Sequence, residues 1–519
     1  MTHILDDPIF EISHGARLGL AALFAAMARG EVAGFAGLRP HQRAAWHMFL
    51  VQLATLALWR AGRSDIAQDA AEWAALLRAL TPEHRSDEPW RLVVDNWSQP
   101  AFLQPPVPEG INFDPAKAAT GPDALDLLIT SRNHDLKQRI MAQSAAEDWV
   151  YALVSLQTME GYGGAGNHGI VRMNGGASSR PLLAIAPANP DGNWPHASAW
   201  WRRDVAHLLA ARRDGPAPQL GKLGGPALLW CLPWHEGEQL RLDMLDPLFI
   251  EVCRRVRLKR SDAGALVALK TTSTAARCNG SQYNGSVGDP WAPVHADKNK
   301  SLTLGEGDFT YRRIVELTAS GTWNLPLLAT PGEEERDSDG LLVAEALSRG
   351  NSKTFGHKFR VLPLPKKVVP FFARGDGMIG EFTKTQIGMI DTVETAVRFA
   401  IALITAGGDD DKISKDSYAR AAAAKAAIER RVDAMFFAHL WARLAAEQDG
   451  DSEAKLSAER AFRLDLTAIA HDELRHALPA VPCSALLRRR AEVRAWRAFH
   501  AMLRKAGIIQ AGEEQRDAA

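Results

Sequence analysis

The sequence is short of cysteine. Four thiols, Cys231, Cys253, Cys278 and Cys483, are spread over 519 residues. None forms a CxxC pair, so the usual zinc framework is missing, and so few thiols suit a reducing compartment without a disulfide scaffold. Long apolar runs are also missing. Met48 to Trp59 is the longest mostly apolar stretch, and Gln52 and Thr55 interrupt it, whereas a bilayer span needs roughly 20 residues. The opening Met1-Thr-His-Ile-Leu-Asp-Asp carries acids where a secretory leader needs bases. A cytoplasmic protein with no membrane partner is expected. An excess of one charge is lacking too: Lys+Arg and Asp+Glu are both 61. That excludes a generic nucleic-acid binder coated in positive charge, but not a local basic channel, because net charge is silent on patterning.

What is present is ordinary globular composition, 46% hydrophobic and 24% charged, in a chain long enough for two to four domains at about 150 residues each. Helical periods run over 15–29, 40–61, 136–159 and 196–213. Short β-like segments punctuated by Gly and Pro fill 226–375, among them 227–232, 248–258, 265–269 and 310–317. From Gly377 the character changes to four amphipathic stretches, 385–406, 414–447, 453–477 and 484–506, separated by short polar links. The predicted fold class is α+β. A large mixed domain covers 1–376, a four-helix bundle covers 377–510, and 511–519 form a flexible tail.

Four features compete for a functional role. Gly161, Gly163 and Gly166 satisfy GxGxxG, but the preceding segment reads as helix, and no Asp or Glu occurs from 161 to 190. A Rossmann site requires a strand before the loop and an acid about 20 residues on. What this glycine density does supply is a backbone that can approach a ligand closely with exposed N–H donors. Arg254-Arg-Val-Arg-Leu-Lys-Arg260 places Arg255, Arg257 and Lys259 on one face of a strand, suited either to phosphates or to blocking a sheet edge. Arg349 to Arg374 holds seven Lys and Arg and no acid, around a turn-forming Asn351-Ser-Lys-Thr, which points to nucleic acid. The last helix is also basic, which suits either a backbone contact or the outer face of a bundle.

Catalytic patterns are poor: GxSxG, HExxH and EF-hand loops are absent. Glu473-x-x-His476 is half of a di-iron bundle motif whose other half is missing. No catalytic residue, metal or cofactor is expected. The competing reading is a metal-dependent nuclease or hydrolase built on His/Asp pairs such as His295 and Asp297.

Gly161-Tyr-Gly-Gly followed by Arg172-Met-Asn-Gly-Gly resembles the glycine loop and next turn of the CasA family, the large subunit of the type I-E CRISPR surveillance complex, Cascade. Pro100-Ala-Phe-Leu-Gln, Gly288-Asp-Pro-Trp-Ala-Pro with Gly305-Glu-Gly-Asp-Phe-Thr-Tyr-Arg, the basic segment from Arg349 and the C-terminal helices occur in matching order. The resemblance implies a subunit without chemistry of its own. It would read the protospacer-adjacent motif (PAM) of double-stranded target DNA, aid strand opening and dock a helicase-nuclease. Its partners would be the guide RNA and the other Cascade subunits. By position, Gly161, Tyr162, Gly163 and Gly164 would meet the PAM minor groove, with Lys270 as the minor-groove lysine. Asn351 and Ser352 would form the wedge tip, where the family carries Asn-Gln. Because a short Asn and Ser tip fills a base-pair gap less well than a longer amide, Lys353 or Phe355 is expected to share that role, while Lys358 and Arg360 on the flanks would grip phosphates. Asn133 and His134 would contact the guide RNA.

Overall fold

The computed structural model describes residues 2–126, 144–176, 178–189, 194–216, 220–350, 353–374 and 377–509. Asn133, His134, Asn351, Ser352 and the tail 511–519 lie outside these residues. The chain forms two compact units. The first comprises Met1–Phe309, Thr322–Glu335 and Asp339–Pro363, and the second comprises Thr310–Gly321, Arg336–Ser338 and Leu364–Ala519.

The first unit is built on helices α1 (Leu20–Arg29), α2 (Arg43–Arg60), α3 (Ala70–Arg78), α4 (Ala146–Met159) and α5 (Ala197–Asp214). Helix α2 is buried almost all round from Ala44 to Leu58, as expected of an apolar helix that others surround. It packs against α4 and α5. Trp46, Trp73, Trp149 and Trp201 are fully buried about it, and Phe24 stacks on Trp201 with ring centroids 5.5 Å apart. Helix α1 stops at Gly30, whose φ of 83° lets its N–H reach back to Ala26 and Met27.

Sheet structure in this unit is small. Strand β1 (Leu182–Pro187) pairs with a long hairpin of β4 (Gly340–Gly350) and β5 (Lys353–Leu364) in the order β5–β4–β1. The β4–β1 ladder is antiparallel, from Gly340 opposite Pro187 to Glu345 opposite Leu182. A separate ribbon joins β2 (Arg255–Arg260) to β3 (Leu266–Thr271). The expected strand at 227–232 is instead a loop holding the single 3-10 turn Leu229–Cys231, and only the end of 248–258 is extended.

The second unit is helical. Its long helices are α8 (Met378–Thr405), α10 (Ala422–Gln448), α11 (Ser452–Ala477) and α12 (Ala485–Lys505), with the short α6 (Tyr311–Thr318), α7 (Val369–Arg374) and α9 (Lys415–Ala419). Ile390, Val397, Ile428, Phe436, Leu466 and Phe499 form the bundle core. The mixed α+β class followed by a helical bundle is therefore observed. The segment 310–317, expected as a strand, is helix α6. Thr310 caps it by accepting from the Arg313 N–H, and Tyr311, Ile314 and Val315 share its buried face. Arg312 of α6 binds Asp391 at 2.8 Å and Glu429 at 3.0 Å. Among the described residues no helix is long and apolar enough to cross a membrane, and all four thiols are free.

Candidate nucleic-acid interface

The glycine loop leaves the end of α4 and is braced from beneath. Gln157, fully buried, donates to the carbonyls of Leu103 and Arg254 at 2.9 Å and accepts from the Arg254 N–H at 2.8 Å. Glu160 follows, buried at the neck of the loop. Its carboxylate meets Arg254 at 2.6 Å and Arg349, near the end of β4, at 3.4 Å. Burial raises the Glu160 pKa, and the charges of Arg254, Arg349 and Lys270 oppose that rise. Arg254 also donates to the Gly161 carbonyl at 2.8 Å and to the His168 carbonyl. One guanidinium thus holds both ends of the loop.

The loop closes on itself through Gly163 N–H to the Asn167 carbonyl (2.8 Å) and Asn167 N–H to the Gly164 carbonyl (2.9 Å). Tyr162 N–H donates to the Gly176 carbonyl at 2.7 Å, tying the loop to the Gly175–Gly176 turn. Two glycines are needed for space: a Cβ on Gly169 would lie 2.8 Å from the Gly161 backbone, and one on Gly166 would lie 2.5 Å from Thr272 Cβ. Gly164 is different. Its φ is +110°, and no heavy atom lies within 4 Å of the place a Cβ would take. The Tyr162 side chain beside it is 48% exposed. The loop therefore presents bare backbone and one aromatic ring on a rigid base.

Lys270 lies on β3 and donates to the Ala124 carbonyl at 2.8 Å. It is close enough to Glu160 and Arg254 to feel both charges, and its pKa is lowered, chiefly by desolvation. The structure thus brings Lys270 toward the glycine loop. Lys358 and Arg360 sit on the β5 stem, where Lys358 pairs with exposed Asp308 at 2.6 Å and Arg360 donates to the Phe309 carbonyl at 3.0 Å. Lys353 opens β5.

The basic strand reads differently from its sequence. Arg255 and Arg257 are buried. Arg255 binds Glu236 and the Trp234 and His235 carbonyls, while Arg257 donates to the carbonyls of Gln99, Gln104 and Val94. They bolt loops onto β2 and are not available to phosphates. Sequence reasoning missed Gln157, Glu160 and Arg254 as the brace. The signal was there in Glu160, the last acid before the acid-free stretch 161–190.

Among the described residues, the His and Asp pair of the competing metal reading and the half di-iron motif are engaged in other contacts, and one other cluster brings possible ligand atoms together. His295 Nδ1 accepts from the N–H groups of Asp297 and Lys298 at 3.3 Å, which caps a turn. Glu473 pairs with Arg431 at 3.0 Å. The cluster His3, Asp6 and Asp87 has its ligand atoms within reach of one another, but Arg78 binds both carboxylates, at 2.6 and 2.7 Å.

No protein-family model matches the chain, and no curated protein matches it by sequence. Solved structures do. The CRISPR-associated protein Cse1 from Acidimicrobium ferrooxidans aligns at 15% identity with a TM-score of 0.65, over 98% of this chain and 98% of that one. CasA of Thermus thermophilus aligns at 14% identity and a TM-score of 0.65, over 97% and 99%. The chain has the Cse1/CasA fold. A chain of a CRISPR RNA-guided surveillance complex also aligns, at 15% identity and a TM-score of 0.59, over 96% and 99%. The Cse1/CasA likeness runs end to end, so the mixed unit and the helical unit both belong to it.

Proposed function

We propose that this chain is the large, DNA-reading subunit of an RNA-guided surveillance complex. Its glycine loop approaches the minor groove of the PAM duplex, with Lys270 beside it. The tip at Asn351, Ser352 and Lys353 presses into the first base step. Lys358 and Arg360 follow the backbone, and Asn133 and His134 touch the guide RNA. The other Cascade subunits and a helicase-nuclease complete the assembly, and the chain does no chemistry of its own.

The observation that carries this reading is Gly164. Minor-groove readout needs a surface thin enough to enter a groove about 6 Å wide, and backbone without side chains is the thinnest surface a protein has. Gly164 offers such backbone on a loop whose ends Arg254 pins. The neutral net charge fits as well, because base pairing with RNA supplies most of the sequence specificity and the protein reads a short motif.

The test uses the chain assembled with guide RNA and its partner subunits. Duplexes with and without the PAM compete for binding. Gly164→Asp should abolish the preference for PAM DNA, whereas Gly164→Ala should keep a measurable preference. Equal PAM discrimination by folded Gly164→Asp and the unmodified chain would overturn the assignment.

A further inference from the structure

The regular β4–β1 ladder ends at Glu345 opposite Leu182, yet β4 runs on to Gly350. Ser178 and Ser179, which follow the Gly175–Gly176 turn, hold this last stretch. Ser179 donates its N–H to the Leu347 carbonyl at 2.8 Å, and its hydroxyl accepts from the Leu347 N–H at 2.7 Å. The Ser178 hydroxyl donates to the Leu304 carbonyl at 2.6 Å and accepts from the Arg349 N–H at 3.5 Å. Both serines are buried. The turn before them accepts the Tyr162 N–H of the glycine loop at 2.7 Å. One short segment therefore joins the glycine loop on one side to the strand leading into the hairpin on the other.

Glu160 adds a direct link. Its two carboxylate oxygens are divided between two guanidinium groups: Oε2 meets Arg254 Nη2 at 2.6 Å, and Oε1 accepts from Arg349 Nη1 at 3.4 Å. Arg254 alone pins both ends of the loop, through the Gly161 and His168 carbonyls, so the closure of the loop does not require Arg349. An arginine can also satisfy both oxygens of a carboxylate by itself. Glu160 instead gives one oxygen to a residue 189 positions away in the chain. What the second bond fixes is the distance from the neck of the loop to the end of β4.

We infer that Glu160 is a positioning residue. Through Arg349 it sets the register between the glycine loop and the β4–β5 hairpin, so that DNA seated on the loop presents its next base step to the hairpin. The inference rests on the PAM reading and deepens it: motif recognition and strand opening are coupled through one ion pair.

The test uses the chain assembled with guide RNA and its partner subunits. The probes are a fully paired PAM duplex, the same duplex with a mismatched bubble beside the PAM, and a paired duplex without the PAM. 2-Aminopurine beside the PAM reports opening. Arg349→Gln should slow opening of the paired PAM duplex about tenfold. Binding to the pre-opened duplex, PAM preference and the salt dependence of binding should stay unchanged. In a Glu160→Gln background the same substitution should add less than about a twofold effect, because the bond it removes is already weakened. Unchanged opening by Arg349→Gln would overturn the inference. So would additive effects of the two substitutions, or a salt slope lower by about one unit, either of which makes Arg349 a direct phosphate contact. Equal weakening on paired and pre-opened DNA, with a lower denaturation midpoint, would reduce the pair to a fold brace and also overturn it. Gly164→Asp separates the two readings. If it abolishes PAM preference while Arg349→Gln leaves opening unchanged, only this inference fails; an unmodified assembly without PAM preference overturns both.

Discussion

At the residue scale the glycine loop contains three kinds of glycine, and substitution should separate them. Gly169 is packed against backbone, with a hypothetical Cβ 2.8 Å from the Gly161 carbonyl carbon. Backbone cannot swing aside as a side-chain end can. Gly169→Ala should therefore destabilise the first unit by about 1–3 kcal/mol, read as a lower midpoint in chemical denaturation. Gly164→Ala meets open space and costs only the strain of a φ that L residues avoid. Its denaturation midpoint should lie closer to that of the unmodified chain. Gly163 is the third. A Cβ there would lie 3.1 Å from Arg254 Nη2, so Gly163→Asp would set a second carboxylate against the guanidinium that Glu160 already holds. Gly164→Asp is the cleaner probe of DNA contact.

At the scale of elements, two ion-pair arrangements yield predictions. On the hairpin stem, Asp308 holds Lys358 at 2.6 Å. If Lys358 grips a phosphate, Asp308 competes with the DNA. In the assembled complex Asp308→Asn should tighten binding to all duplexes and steepen the salt dependence by about one unit. Lys358→Ala with Arg360→Ala should do the reverse. In the helical unit, Glu394 of α8 lies against Lys425 at 3.0 Å and close to Glu429 of α10. Burial and the neighbouring Glu429 carboxyl raise its pKa to about 7, while Glu429 is held below its ordinary value by its hydrogen bonds and Arg312 despite desolvation. A raised acid holds its proton longer in the folded state, so it costs stability as pH rises from about 4.5 to about 7. Glu394→Gln stays neutral throughout. Relative to the unmodified chain, this variant should gain on the order of 1–3 kcal/mol between pH 5 and pH 8, measured by denaturation at the two pH values.

At the scale of the whole molecule, the end-to-end likeness to Cse1 and CasA structures comes without a family-model match. The likeness is one of fold at 14–15% identity, and the short motifs that carried the resemblance hold this fold together from inside. Asp289 of Gly288-Asp-Pro-Trp forms a buried two-bond ion pair with Arg180, at 2.6 and 2.7 Å, and also accepts from the Trp291 N–H. Gln104, at the end of Pro100-Ala-Phe-Leu-Gln, is buried. It bonds the Leu92 and Phe102 carbonyls and the Leu258 N–H. These are internal locks, and breaking one strands a charge or a polar group in the core. For the proposed function, the purified chain incubated with duplex DNA and Mg²⁺, Mn²⁺ or Zn²⁺ should leave the DNA intact. Elemental analysis should find no stoichiometric zinc or iron. Metal-dependent cleavage that is lost with His295→Ala would favour the hydrolase reading.

By itself the sequence determined the fold class, the run of C-terminal helices and the exceptional character of the stretch after Glu160. Those are local properties: a 3.6-residue apolar period and a density of glycine act through near neighbours in the chain. It misread 310–317 as a strand, because apolar β-branched residues there suit either state, and burial of Tyr311, Ile314 and Val315 decided for helix. It read Arg255 and Arg257 as an exposed row, because alternation says which residues share a face but not whether that face meets water. Only the tertiary structure turned them inward, where carbonyls from residues 94 to 104 and 234 to 235 receive them. Only the tertiary structure joined Glu160, Arg254 and Arg349 into one brace. Ion pairs between residues so far apart in sequence form only after packing has brought their backbones together, and no local pattern encodes that meeting.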